Sequence, residues 1–540
     1  MKNRKLLIFG ASVWTGIASR PTAEAVLIEG DSIAAVGSLD KVSSFPGASG
    51  AYRVDAKGTS VVPGLTDSHL HLTALSRQQA ALSLHDAESR EQLLELVRRR
   101  AAKASPKEWI YGVGFNNSRW PDGRLPTMEE LDNLKIPNPV LLLRVCAHVH
   151  VVNSRALEAA GLTKDMSGQG VMRDGTGSMT GTLLEDAAKP VVEAMKKTMY
   201  RKETEEGTLR QTMSGLAAKG ITSVHTCSAA SYGLEENHEA YRSLVDRKAL
   251  PLRVRLYADE DIEGWKTTGD GDDWFSYGGK KFFLDGSLGG RTAAMSFPYV
   301  DEPSTRGILN MDQEYFSKRL TECHKRGIQV QVHAIGDAAI DQFITAVESL
   351  QDLEPLPKGL NHRLIHAQVC RPEQMDRLAR LGTVCDVQPV FVPNDIHITE
   401  LRIGKNRLGW AYAWKSMLEK GILLTASSDA PVEPANPWRG IWAAVARVDD
   451  EGYPPGGWLP DQKLDLAEAL TLYTVNPWRA IGKAQRFGSI SPGKPADLVM
   501  LDKNVFETPV EKLPDVQPVL TFVGGRLSHG DLPDWEKIPF

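Results

Sequence analysis

Long hydrophobic runs, patterned cysteines and an excess of charge are all missing from this sequence. No window approaches the roughly 18 apolar residues that a membrane span requires, so no association with a bilayer is expected. Lys and Arg number 63 against 68 Asp and Glu, a net charge of −5. That near-balance gives no electrostatic case for nucleic acid or an anionic membrane as partner. The five cysteines, Cys146, Cys227, Cys323, Cys370 and Cys385, form no Cys-x-x-Cys pair. An odd, sparse set of this kind argues against a disulfide framework and for a reducing, cytoplasmic location. The basic start Met1–Lys5 ahead of Leu6–Phe9 has the outline of a secretory signal. Gly10 cuts that apolar run short without a small-residue cleavage site, so a strand opening the fold is the better reading.

What is present is the material of a large globular enzyme. The chain has 540 residues, 42% hydrophobic and 24% charged, enough for more than one domain. Short strands with turns are expected at Lys5–Phe9, Ala25–Glu29, Ser32–Val36 and Tyr52–Asp55, with Gly30-Asp31 as a hairpin. The far end has the same character at Ala496–Leu501 and Val519–Val523. Two β-rich ends around an α/β middle predict one composite β-sandwich from residues 1–62 and 486–540; two independent β-extensions would produce the same pattern.

The middle alternates between buried strands and helices. Strands are expected at Val61–Leu65, Ile221–Val224, Leu252–Tyr257, Lys281–Leu284, Ile328–Val332, Arg363–Ile365, Thr383–Val387 and Ile422–Thr425. Helix-like stretches such as Asp337–Leu350, Pro372–Leu381 and Ala411–Lys420 follow most of them. Eight such alternations predict an α/β fold of the (β/α)8 TIM-barrel type over residues 63–73 and 201–485. About 150 residues separate the first two strands, far more than an ordinary connection. With strand candidates Trp109–Val113 and Val140–Val145 and helix candidates Ser89–Lys103 and Leu183–Lys197, residues 74–200 read as an inserted α/β subdomain over the barrel mouth.

The chemistry lies at the strand ends. His69 and His71 are two apart, so in a strand both imidazoles face one way. His333, His366 and Asp429 each follow a predicted strand. Function in this fold sits at the C-terminal ends of the strands, so four strands deliver imidazoles or a carboxylate to one rim. That is the donor set of a hydrolytic metal site.

The order His69-x-His71, His333, His366, Asp429 in an eight-strand frame resembles the amidohydrolase superfamily. Lys281-x-Phe283-x-Asp285-Gly286-Ser287 is similar to a motif of the amidohydrolase family 3 branch, which includes N-substituted formamide deformylase. His148 with Asn153-Ser154, Gly181-x-Leu183-x-Glu185, Val332–Asp337 and Gly493–Val499 fit the same branch. The resemblance spans residues 5–525 and departs at Cys146–His150 and at His225-Thr226, near the expected substrate pocket.

The resemblance implies a metal-dependent hydrolase holding one or two divalent ions, zinc foremost. His69 and His71 would hold one ion, His333 and His366 the second, with Asp429 as ligand and general base. Lys281, carboxylated by CO2, would bridge the two; Lys280 is the register alternative and Glu185 a competing bridge. His148, Arg291, His225 and Asp285 are candidates for contact with substrate or support of the site. Bound metal lowers the pKa of water from 15.7 towards about 7, which predicts hydrolysis of a non-peptide C–N bond in a small-molecule amide. Deamination of a ring amidine and a non-enzymatic scaffold are the other readings. Oligomerisation is compatible with the fold. Trp120, Trp410, Trp414, Trp438 and Trp442 could line a pocket, but aromatic residues at this spacing more often pack in a core.

Overall fold

The computed structural model describes residues 5–117, 120–144, 149–168, 170–199, 202–227, 238–262, 264–357 and 359–533, without the side chains of 185–186 and 202–204. These residues form two compact units, Ala74–Thr212 and the remainder of the chain.

Both ends of the chain contribute to one eight-stranded sheet. Lys5–Trp14 runs antiparallel to Thr22–Glu29, which turns at Gly30-Asp31 into Ser32–Gly37, while Tyr52–Asp55 lies beside Lys5–Trp14. Ser60–Pro63 pairs on one side with Lys5–Trp14 and on the other with Leu498–Leu501, which continues through Pro518–Val523 to Arg526–His529. Alternation explains the packing of the first strand. Leu6 and Ile8 enter one apolar cluster with Val26, Leu498 and Phe522, and Leu7 enters another with Leu27 and Val42.

The second sheet of this unit is a parallel barrel of eight strands: Leu65–Leu70, Ile221–Cys227, Arg253–Ala258, Phe275–Phe283, Val330–Ala334, Arg363–His366, Val384–Val387 and Leu423–Ala426. Just past the last strand, Asp429 N–H donates to His69 O (2.9 Å) and His71 N–H to Ala430 O (2.7 Å), bringing the eighth strand to the first. The helices Asp337–Glu348 and Pro372–Arg380 follow strands as expected, and the helix expected at Ala411–Lys420 shortens to Trp414–Glu419.

The first barrel strand is a correction to the sequence reading. The apolar run Ser60–Pro63 belongs to the terminal sheet, and the barrel strand begins at Leu65. Gly64 is the crossing point: its N–H donates to Asp497 O in one sheet, and Leu65 N–H donates to Gly220 O in the other. A side chain cannot fit there, because a Cβ on Gly64 would lie 2.2 Å from Thr222 Oγ1. The fourth strand is also longer than expected. It begins at Phe275 and runs through Gly278-Gly279, where a Cβ on Gly279 would meet Gln329 O at 1.8 Å.

Ala74–Thr212 has its own six-stranded sheet, with Leu82–Ser83, Ile110–Phe115 and Val140–Arg144 parallel, and Val149–Val152, Met179–Leu184 and Val171–Arg173 antiparallel. Leu183 lies in a strand, and the second expected helix begins only at Lys189. Ser89 caps Arg90–Ala101 by accepting from Gln92 N–H, and Leu93 and Val97 of that helix pack on Ile110 and Leu142. Four of the five tryptophans follow the core reading: Trp414 and Trp438 are fully buried, Trp442 is buried, and Trp120 stacks on Phe115 while donating to Ala87 O, whereas Trp410 is half-buried against Phe297.

Candidate metal centre

Three buried side chains converge where the first, sixth and eighth strands end. Ligating atoms of His69, His366 and Asp429 all lie within 4.8 Å of one another. His69 ends the Leu65–Leu70 strand one residue short, and His71 follows it. Their Nε2 atoms lie 3.3 and 3.4 Å from Asp429 Oδ1. His366 (φ 77°) and Asp429 (φ 57°) both take the left-handed backbone conformation that non-glycine residues seldom adopt. Lys281 Nζ lies 3.3 Å from His69 Nε2, and the His333 ring packs at 4.4 Å against that of His366.

The outer nitrogens decide which way the inner ones face. His71 Nδ1 is 3.1 Å from the carbonyl of Cys227, an acceptor only, so the proton sits on Nδ1 and Nε2 presents a lone pair. His366 Nδ1 is 2.7 Å from Gln388 Oε1, whose amide nitrogen is committed to Asp386 O and Ser427 Oγ. That again leaves Nε2 as a lone pair. Cys227 Sγ–H donates to Gln331 Oε1 (3.1 Å), and its sulfur, 3.3 Å from His69 Nδ1, accepts the proton of that nitrogen. His333 Nε2 faces Gly286 O at 3.0 Å and Asp285 Oδ1 at 3.3 Å.

Burial completes the arrangement. Desolvation, then the charge of Lys281, pulls His69 down to about 3, and desolvation with His333 holds His366 well below the usual imidazole range. Both rings are therefore neutral at pH 7, the form that binds metal. Asp429 Oδ1 is buried and makes no hydrogen bond of acceptable geometry. Lone pairs and a carboxylate oxygen crowded together repel unless a cation lies among them. This donor set fits a divalent metal ion.

The other expected residues fall in different places. Lys280 pairs with Asp261 (2.9 Å), so of the two neighbouring lysines it is Lys281, fully buried, that faces His69. Asp285 accepts from the backbone N–H groups of Ala294, Ile335 and Gly336, which pins the chain just beyond His333. Arg291 is engaged with Asp301 (2.8 Å). His225 is buried beside Arg363. Glu185 begins a short 3-10 helix in the inserted unit; its side chain and all of His148 lie outside the described residues. Sequence reading missed Cys227, Gln331 and Gln388. Only Gln388, a polar residue directly after the strand Val384–Val387, left a visible signal.

This barrel and this donor set are those of a metal-dependent hydrolase. The chain belongs to the amidohydrolase family, whose pattern matches residues 53–529. It is 32% identical over 97% of its length, and 99% of the relative's, to YtcJ of Bacillus subtilis (strain 168), which is named as an amidohydrolase. It is 29% identical to the N-substituted formamide deformylase of Arthrobacter pascens, covering 97% of this chain and 98% of that one. Among solved structures, an uncharacterized metal-dependent hydrolase from Pyrococcus horikoshii superposes with a TM-score of 0.78 at 27% identity, covering 94% of this chain and 99% of the other. Family membership carries the general chemistry, metal-dependent hydrolysis of amide-type bonds. No helix among the described residues is long and apolar enough to cross a membrane.

Proposed function

We propose that this protein hydrolyses a linear, non-peptide amide of a small molecule, with Asp429 as the general base. The observation that carries the reading is the meeting of His69 and His71 Nε2 at Asp429 Oδ1, beside His366. His69, His71, His333, His366 and Asp429 would hold one or two ions, zinc first among them, with Lys281 as a bridge once carboxylated. Burial lowers the Lys281 ammonium below its ordinary range, which favours the neutral amine that attacks CO2. The ion, when bound, would acidify water and polarise the substrate carbonyl.

The chain's own groups supply the rest. Asp429 takes the proton of the attacking water on its carboxylate and returns it to the leaving nitrogen, so that amide and water become carboxylic acid and amine, which leave as carboxylate and ammonium. Gln388, Cys227 and the Cys227 carbonyl keep the three imidazoles in the tautomer that faces inward. A cytoplasmic, reducing location is part of the same proposal.

The likeness to a formamide deformylase puts N-substituted formamides first in a substrate panel, followed by acetamides, N-acyl amino acids and ring amidines. The expected result is one or two equivalents of divalent metal per chain and turnover of an amide that a chelator abolishes. Protein without metal that hydrolyses nothing in the panel, or that acts only on ring amidines, refutes the proposal.

A further inference from the structure

Most charges inside the barrel are matched. Arg363 pairs with Asp386, and Arg253 with Asp497 at 2.7 Å. Arg255, in the third strand between Arg253 and Tyr257, breaks the pattern. It is only 4% exposed, and its Nε and Nη1 have no hydrogen-bond partner. No carboxylate among the described residues lies in ion-pair range of it. Its guanidinium lies by the Tyr257 hydroxyl, which reaches Gln329 Oε1 (2.7 Å) and accepts from Arg363 Nη1 (2.8 Å). Arg255 is therefore in the barrel interior.

His225 stands beside it. The two residues are register partners on adjacent strands, so their side chains leave the sheet on the same face. Arg363 Nη1 lies 3.0 Å from His225 Nδ1. A guanidinium only donates, so His225 Nδ1 accepts and the ring proton is on Nε2. That Nε2 is also buried and unpartnered. The unmatched atoms of Arg255 and His225 are thus all donors, and one of the two groups carries a full positive charge. An uncompensated buried guanidinium is costly unless a counter-charge reaches it.

We infer that the barrel interior holds a small monovalent anion of halide size, bound by Arg255 Nε and Nη1 and by His225 Nε2. Such a site is distinct in charge from the metal centre at the rim, which is built from lone pairs and carboxylate. Anion binding to the folded chain alone raises its stability by mass action.

The test uses the full-length, metal-loaded protein. Crystals soaked in bromide should show an anomalous peak within hydrogen-bonding distance of Arg255 and His225. The melting temperature should be about 2 °C or more higher in chloride than in gluconate at equal ionic strength. Arg255→Met should remove that difference, and if this variant does not fold, His225→Phe should reduce it. Water density with no anomalous signal at Arg255 overturns the inference, as does an equal melting temperature in the two salts. A bromide peak without any stability difference means binding at crystal concentration only, and overturns it too.

Discussion

The rim of the barrel and the layer directly below it are both buried and polar, yet they are built on opposite rules. At the rim, His69, His71 and His366 turn lone pairs towards a carboxylate oxygen that has no hydrogen bond of its own. Below, Arg363 is saturated: it pairs with Asp386, donates to Tyr257 Oη, to His225 Nδ1 and to Ser68 O, and Asp386 also accepts from the Thr425 hydroxyl. Matched charges hold the strands in place, and mismatched ones wait for a ligand. The Arg363–Ser68 bond links the layers, because Ser68 directly precedes His69.

The strongest way to break the comparison is to alter one atom at the rim. Asp429→Asn keeps the shape and removes the proton acceptor. We expect kcat to fall by about 100-fold to 10,000-fold while metal analysis shows most of the ion retained. A kcat near that of the unaltered protein would remove Asp429 from its role.

One change in the lower layer should act on folding instead. Asp386→Asn leaves the Arg363 guanidinium buried without its counter-charge, and urea unfolding should show a loss of about 3–5 kcal/mol. The double variant Arg363→Met, Asp386→Leu removes both charges and should recover much of it. If the double variant is as unstable as the single, pairing is not what the layer supplies.

Cys227 tests the boundary between the layers. Cys227→Val keeps the bulk and loses the acceptor for His69 Nδ1–H, so metal affinity, read by competition with a chelating dye, should weaken about 10-fold to 100-fold. Cys227→Ser can still accept from His69 and donate to Gln331, and should restore most of that affinity. Equal affinity in Val and Ser variants would show that the thiol only fills space.

These contrasts explain what was legible in the sequence. Seven of the eight barrel strands overlap their expected positions by three residues or more, because their outward residues form apolar runs bounded by turn residues. The first shares only Leu65 with its expected span, since Thr66, Asp67, Ser68 and His69 make that strand polar although every one is buried. Apolar Val61-Val62, three residues earlier, drew the assignment to the terminal sheet. Ligand candidates could be found because each lies at or just past the C-terminal end of a strand. The partners that set their tautomers could not: Cys227 meets His69 across 158 positions of chain, and no local pattern marks that pairing.

A third histidine site sharpens the rule with the smallest effect. Val330 N–H donates to His362 Nδ1 (3.2 Å), so the ring proton lies on Nε2, which donates to His324 Nδ1 (3.1 Å); His324 Nε2 in turn donates to Glu354 O (2.8 Å). Every nitrogen in this chain is matched, and none is left for a ligand. Burial, reinforced by His324, lowers His362 to about 3 from an ordinary value of 6.5. Below pH 6.5 the unfolded chain therefore binds a proton that the folded one refuses, and stability falls as the pH drops towards 3. Between pH 7.5 and 5.5 the loss should be about 1 kcal/mol from this residue. His362→Gln retains an acceptor for Val330 but cannot titrate, so its urea midpoint should fall less steeply with acid. An unchanged acid slope would mean that His362 is protonated in the folded protein, and that its matched hydrogen bonds do not hold it neutral.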